Sequence, residues 1–393
     1  MSVDLEYQRT VPAARAGCFD IDRVLVYCFE HGGSDLHLEV GLPPGIRANG
    51  RLGPVPGHPP LRQEELFEAL MGTITPRQRA LFEEEMELDY SYSLGDRVSF
   101  RANLFWQRGT IGAAFRVIPR EIKSLAQLGM PASLASLAGL PRGLVLVCGP
   151  TGSGKSTTLA ALIDVANRTR ADHIITIEDP IEFLHTSNRC IVAQREVGVD
   201  TKSFAQALKR ALRQDPDIIL VGEMRDRETM AIALRAAETG HLVFATIHTQ
   251  DTAESITRIV DEFPGPQQDQ IRTQLASTLQ AVVSQTLCPT ADATGRVAAT
   301  EVMVATPAIR ALIRDGRLHQ IYGALQTGRD LGMHTLDQSL AELVRGHRIR
   351  YETGLERARQ PREFDKMCGR LVRMNQGLGS LQQAAPARPL GRM

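Results

Sequence analysis

Residues 144–156 read Leu144-Val145-Leu146-Val147-Cys148-Gly149-Pro150-Thr151-Gly152-Ser153-Gly154-Lys155-Ser156, an apolar run that passes directly into a glycine-rich turn. Apolar residues without polar alternation are what a strand buried on both faces of a parallel sheet requires. The turn fits G-x-x-x-x-G-K-[ST] at every fixed position, and Thr157–Asn167 continues it with helical composition. Strand, turn and helix in that order give the motif its mechanism. The glycines let backbone N–H groups face inward around phosphates, and the helix N-terminus adds a positive dipole end. Lys155 can bridge the β- and γ-phosphates, and the Ser156 hydroxyl can ligate Mg²⁺. Gly149, Pro150, Thr151, Gly152, Ser153, Gly154, Lys155, Ser156 and Thr157 are therefore the candidate nucleotide-binding residues. No N-K-x-D motif for guanine stands at the right place, so ATP is the expected nucleotide.

Outward from this loop, further apolar runs stand at Ile174–Ile177, Ile218–Val221 and Leu242–Ile247. Helical stretches such as Ser203–Arg213 and Arg227–Glu238 separate them, a pattern that calls for a doubly wound α/β domain. Residues 144–300 are expected to form this core, and 301–368 to be helical. Upstream, residues 1–119 read as a separate mixed α/β module. Leu36, Leu38 and Val40 alternate with His37 and Glu39, Glu64–Met71 and Pro76–Glu87 are helical, and Tyr90–Leu94, Arg97–Trp106 and Thr110–Ile118 read as antiparallel strands. Residues 120–143, broken by Pro131, Gly139 and Pro141, read as the linker. The last stretch, 369–393, has arginines and no acids and is expected to be disordered.

The chain has 393 residues, of which 43% are hydrophobic and 23% charged, which excludes disorder throughout. Lys+Arg and Asp+Glu are balanced at 45 each, which argues against a bulk nucleic-acid or anionic-membrane binder. Six cysteines form no C-x-x-C pair, so neither a zinc knuckle nor a disulfide scaffold is expected and a reducing compartment fits. The first residues carry acids and no apolar core of a signal peptide, and no apolar run is long enough to span a membrane. A cytoplasmic protein is expected.

Asp217-Ile-Ile-Leu-Val-Gly222-Glu223 is an apolar strand running toward an acid, the place of a carboxylate that meets Mg²⁺ or polarises water. Glu178 follows another strand, where it can orient the attacking water. His248 follows a third apolar strand.

Four motifs in this order make the chain resemble the secretion-superfamily ATPases, and most closely the type IV pilus retraction ATPases. They are Gly149–Thr158, the acidic box Ile174–Phe183, the segment Asp215–Asp226, and the histidine box Ala236–Thr249. The resemblance runs from about Gly33 to Phe364. It implies an N-terminal PAS-like α+β domain, a RecA-like P-loop core, and a ring of six subunits with ATP at their interfaces. It further implies ATP and Mg²⁺ as cofactors, with Ser156 and Glu223 on the metal, and Glu178 as second catalytic acid. His248 would sense the γ-phosphate, and Arg101 and Arg116 would reach a neighbour's nucleotide. Where relatives show Asn-Arg-Gly, this chain has Gln107-Arg108-Gly109-Thr110; such a one-residue displacement on a strand moves an arginine to the other face.

The tetracysteine zinc module of assembly motors is missing, whereas Ala308-Ile309-Arg310-Ala311-Leu312-Ile313-Arg314 resembles the retraction signature A-I-R-N-L-I-R. As a helix it would bury Ile309, Leu312 and Ile313 and expose both arginines on one face. The implied partners are other copies of the chain and an inner-membrane pilus platform protein, with no nucleic acid. The implied location is the inner face of the cytoplasmic membrane. Alternatives are an auxiliary retraction or type II/IV secretion motor, and, from another class, a RecA-like DNA translocase, against which this sequence's neutral charge and its lack of an evident basic loop count.

Overall fold

A computed structural model describes residues 19–369, apart from 49, 96, 119 and 120. The expected tail beyond Gly369 and the expected boundary at 119–120 lie outside the described residues. The chain divides into two compact units. Of the described residues, one holds those up to Ile122 together with Glu178–Thr186 and Gln194–Lys202; the other holds Lys123–Ile177, Ser187–Ala193 and those from Ser203 onward.

The first unit runs α1 (Ile21–Glu30), β1 (Gly33–Glu39), β2 (Gly45–Ala48), β3 (Arg51–Pro54), α2 (Gln63–Met71), α3 (Pro76–Glu85), β4 (Glu87–Leu94), β5 (Val98–Gln107) and β6 (Thr110–Ile118). Its sheet has the order β3-β2-β1-β6-β5-β4, and each of its pairings is antiparallel. Along β5, Phe100, Ala102 and Leu104 point into the core while Arg101 points out, the period-2 alternation of a half-buried sheet. Asp20 and Thr75 start α1 and α3 by accepting hydrogen bonds from the backbone N–H of Arg23 and Gln78. Helix α3 ends at Glu85, two residues earlier than expected, because Met86 takes a left-handed conformation with φ 65°.

The β5–β6 turn corrects the expectation for Arg108. With φ 50° at Arg108 and 77° at Gly109, the two residues form the tight turn itself, closed by Gln107 opposite Thr110. Arg108 is therefore in neither strand, and the face-flip argument does not apply to it. Trp106 packs flat against Phe82 at 6.0 Å, a core contact.

In the second unit, with Glu178 of β8 and Gln194–Glu196 of β9 counted to the first, a 3₁₀ stretch (Ala132–Gly139) precedes β7 (Gly143–Cys148), α4 (Lys155–Thr169), β8 (His173–Glu178), β9 (Ile191–Glu196), α5 (Phe204–Ala211), β10 (Ile218–Val221), α6 (Arg227–Glu238) and β11 (Leu242–Ile247). Then follow α7 (Thr252–Asp261), α8 (Gly265–Thr278), β12 (Leu279–Pro289), β13 (Arg296–Val304), α9 (Pro307–Arg314), α10 (Ile321–Thr327), α11 (Leu336–Arg345), α12 (Tyr351–Arg357) and α13 (Pro361–Met367). The sheet order is β13-β12-β7-β11-β10-β8-β9. Pairings from β12 through β7, β11 and β10 to β8 are parallel, and β13 returns antiparallel on β12. Every residue of β7, β10 and β11 is buried, which accounts for their unbroken apolar runs. Each fully buried Val, Leu, Ile or Phe contributes roughly 1.5–3 kcal/mol over an exposed one. This is an α/β fold with the Gly149–Gly154 turn at the C-terminal end of a central parallel strand.

Two expectations are corrected here. Strand β13 continues to Val304, so the helical part begins at Pro307 rather than just after Thr300. Helix α9 buries Ile309 and Ile313 but leaves Leu312 half-buried, and Arg310 is not a free surface arm. Its Nη1 donates to the carbonyls of Ala276 at 2.6 Å and Ser277 at 3.0 Å, and Nη2 donates to Gln280 Oε1 at 3.2 Å. Those carbonyls belong to the last turn of α8, where a cation meets the negative end of the helix dipole. Arg314 does face solvent.

Candidate functional site

The turn Gly149–Gly154 has positive φ at Gly149 (142°), Gly152 (77°) and Gly154 (88°), as a loop of inward N–H groups demands. A Cβ at Gly149 would stand 2.3 Å from Gln285 O and 2.6 Å from Ser153 Oγ, so only glycine fits. Helix α4 starts at Lys155 with Gly154 as its cap residue and no side chain capping it, which leaves its first N–H groups for a ligand. Ser153 Oγ is buried inside the loop without a hydrogen-bond partner. Lys155 is only 8% exposed, and its Nζ donates to Gly149 O at 2.9 Å and Pro150 O at 3.1 Å. The ammonium is thus folded onto the loop it would leave to meet phosphate.

A residue with no place in the sequence reading supports this loop from below. Gln285, buried in β12, donates from Nε2 to Ser153 O at 2.7 Å and accepts at Oε1 from the Thr158 hydroxyl at 2.9 Å. Its amide ties the turn and the first turn of α4 to the next strand of the sheet. The available signal was a glutamine in the apolar context Ala281-Val282-Val283-Ser284-Gln285.

Glu223 stands two residues past the end of β10 and is held from β11. Thr246 donates its hydroxyl to Gly222 O and accepts the Met224 N–H at its carbonyl, 3.0 Å, which clamps the backbone on both sides of Glu223. The Glu223 side chain is 17% exposed and lies beside Arg225 Nε, with His248 Nε2 at 3.0 Å from its Oε1. Burial, then the positive charge of Lys155, hold the His248 imidazole below its ordinary range; Glu223 pulls the other way without prevailing. Lys155 is thus near enough for its charge to act on the histidine. His241, by contrast, caps α6: its Nδ1–H donates to Ala236 O at 2.9 Å, a structural role.

Glu178 ends β8 and belongs to the first unit, where its Oε1 accepts from Gln194 Nε2 at 3.1 Å. Arg101 and Arg116 also belong to the first unit, directly opposite each other on β5 and β6. Arg116 Nε donates to Asp35 Oδ1 at 2.8 Å, and Asp35 lies opposite Arg116 on β1. Burial acts to raise the Asp35 pKa, but hydrogen bonds from Arg116 and Ser34 outweigh it and hold the carboxyl below the usual range. Of the residues expected to act together, the second unit gathers Lys155, Ser156, Glu223 and His248. Arg101, Arg116 and Glu178 stand in the other unit.

An α/β sheet whose central strand feeds a G-x-x-x-x-G-K-S turn and a helix defines a P-loop nucleotide-binding protein. Residues 91–348 match the family described as Type II/IV secretion system protein. The chain is 49% identical over 345 residues to the type IV pilus retraction ATPase PilT of Pseudomonas aeruginosa, covering 88% of this chain and all of that protein. It is 47% identical over 315 residues to a twitching motility protein of Neisseria gonorrhoeae, covering 80% of this chain and 84% of that one. A crystal structure of the pilus retraction motor PilT with bound ADP superposes with a TM-score of 0.83 at 44% identity, covering 88% of this chain and 99% of that one. The chain belongs to the Type II/IV secretion system protein family and, within it, to the PilT-type retraction ATPases.

Proposed function

We propose that the chain is an ATP-hydrolysing motor that drives type IV pilus retraction, and hence twitching motility. The observation that carries this reading is the meeting, in one unit, of a phosphate turn bearing Lys155 with the Glu223–His248 pair under that lysine's charge. Phosphoryl transfer asks a protein chiefly for positioning and charge stabilisation. Lys155 exchanges its carbonyl partners for β- and γ-phosphate oxygens. Glu223, fixed by Thr246, is the acid at the strand end, Glu178 is the second acid that orients water, and His248 reads the γ-phosphate. The remaining charge comes from Arg101 and Arg116 of a neighbouring copy in a ring of six.

The Ser156 hydroxyl and the Glu223 carboxylate are hard oxygen donors of the kind Mg²⁺ takes alongside phosphate and water, so the residues fit that ion. Mg²⁺ there would neutralise charge on the phosphates. Among the described residues no helix is long and apolar enough to cross a membrane. From its likeness to the type IV pilus retraction ATPases, the motor is proposed to work on the cytoplasmic face of the inner membrane through a platform protein. The first unit is proposed to be PAS-like and the P-loop core RecA-like.

The test has two arms. Purified wild-type chain should release phosphate from ATP, and Lys155→Ala should not. In cells, deleting the gene should leave excess surface pili and no twitching. Bald cells would mean an assembly motor, and hydrolysis by Lys155→Ala at the wild-type rate would overturn the site.

A further inference from the structure

The loop that follows His248 is held from the far end of the chain. Gln250 O accepts the Ser284 hydroxyl of β12 at 2.8 Å and Arg359 Nη2 at 2.7 Å. Asp251 Oδ2 is 3.5 Å from Arg359 Nη1. Glu301 of β13, 1% exposed, accepts at Oε1 from both the backbone N–H and the hydroxyl of Thr252, at 3.1 and 2.8 Å, and at Oε2 from Arg359 Nη1 at 3.1 Å. One guanidinium therefore binds a buried carboxylate, a loop carbonyl and a loop carboxylate at once. Its two separate nitrogens, Nη1 and Nη2, hold these acceptors from one rigid plane, which a single ammonium nitrogen does less completely.

Arg359 is itself fixed. It lies between α12 and α13, and its own N–H and that of Gln360 donate to the two oxygens of Asp337 at 2.8 and 2.9 Å. Asp337 is 1% exposed in the first turn of α11. The chain of contacts thus runs from α11 through the 359–360 backbone and the Arg359 guanidinium to Gln250–Thr252, two to four residues after His248. The alternative is a merely cohesive network. Two details favour positioning: the acceptors on the loop are adjacent residues, and the same loop residues start α7, where Asp251 accepts the Glu254 N–H at 2.6 Å. A shift of Arg359 would therefore move the loop and the helix start together.

We propose that Arg359 is a positioning residue for ATP hydrolysis, holding the loop behind His248 in register with the phosphate turn and linking it to the C-terminal helices. This rests on His248 acting at the γ-phosphate, as proposed above. Small displacements of groups that act on the reacting phosphate cost about 10- to 100-fold in rate, whereas the P-loop and its nucleotide contacts are untouched.

The experiment uses the full chain. Arg359→Ala leaves Glu301 buried without its guanidinium and would lose stability for that reason alone. The informative variant is therefore Arg359→Met/Glu301→Gln, which removes both charges and keeps their bulk. Steady-state phosphate release and fluorescent-ADP binding are measured beside wild type, with Arg359→Lys as the conservative change. The expected result is a kcat about 10-fold or more lower in the double variant, with KM and ADP Kd within about twofold of wild type, and partial recovery in Arg359→Lys. Wild-type kcat in the folded double variant, or a parallel loss of ADP binding, would overturn the proposal. A wild-type chain that binds ADP but hydrolyses no ATP would instead overturn the functional reading beneath it.

Discussion

His248 Nε2 lies 3.0 Å from Glu223 Oε1, and Lys155 bears on the same imidazole with its positive charge. The histidine sits between a carboxylate that favours its protonation and a lysine that opposes it. Burial tips the balance toward the neutral ring. In the folded chain its pKa is depressed below the unfolded value of 6.5. As pH falls through the window below 6.5, the unfolded chain takes up this proton first, so stability contributed by the neutral ring declines with acidification and is complete at higher pH. The expected measurement is an NMR titration in which the His248 signal, assigned by its absence in His248→Ala, titrates below the ordinary histidine range. Glu223→Gln should lower it further. An unchanged or higher pKa in Glu223→Gln would show that the carboxylate does not favour the charged ring.

Gln285 makes a second prediction. Gln285→Leu keeps the volume but leaves Ser153 O and the Thr158 hydroxyl without their buried partner. One lost buried hydrogen-bond partner typically costs about 1–3 kcal/mol. Thermal unfolding should shift down by several degrees, and ADP should bind about 10-fold more weakly because the turn loses its tie to β12. Unchanged ADP affinity in a destabilised variant would make Gln285 a fold residue with no bearing on the loop.

Much of this was legible from pattern. The buried parallel strands announced themselves because a strand covered on both faces has no room for polar residues, and the glycine-rich turn because its backbone demands glycine at Gly149, Gly152 and Gly154. Strand β12 was not legible. It carries Ser284, Gln285 and Thr286 at its centre, and the first two are there because the loops they hold come from elsewhere in the chain. The same reason hid Glu301 and Arg359, whose pairing spans 58 positions. Local periodicity also misjudged Arg310: on a helical wheel it points outward, but outward from α9 is where the end of α8 lies. Thr246 reads as one more strand residue until its two contacts around Glu223 are seen.

Arg310 and Arg314 should therefore separate in experiment, although the sequence pairs them on one face. Arg310→Ala removes the bonds that close the last turn of α8 and should destabilise the chain by about 1 kcal/mol or more. Arg314→Ala removes an exposed side chain near Asp315 and should stay within about 0.5 kcal/mol of wild type. If the signature helix also docks a partner, Arg314→Ala is the clean probe: phosphate release should be normal and twitching reduced. Equal thermal shifts in the two variants would contradict the cap assigned to Arg310.

The arginines of the first unit pose the question of the ring. Arg101 and Arg116 face each other across β5 and β6, both exposed, with only Asp35 paired to Arg116 among the acids opposite them in the strand register. Two guanidinium groups side by side repel, so the row is stabilised by whatever anion it meets, and a neighbouring copy's nucleotide phosphate is such an anion. Arg101→Ala or Arg116→Ala should then keep nucleotide binding and lose most hydrolysis, since binding is proposed to use the chain's own Gly149–Ser156 turn. Mixed with Lys155→Ala, either should regain part of the activity. Some interfaces then join an intact Lys155 on one copy to intact arginines on the next. The check is phosphate release across mixing ratios, in rings shown by a labelled subunit to exchange. A maximum at intermediate ratio is expected. Activity that follows dilution alone would place these arginines outside a shared site, and loss of nucleotide binding in either single variant would tie them to the chain's own nucleotide instead.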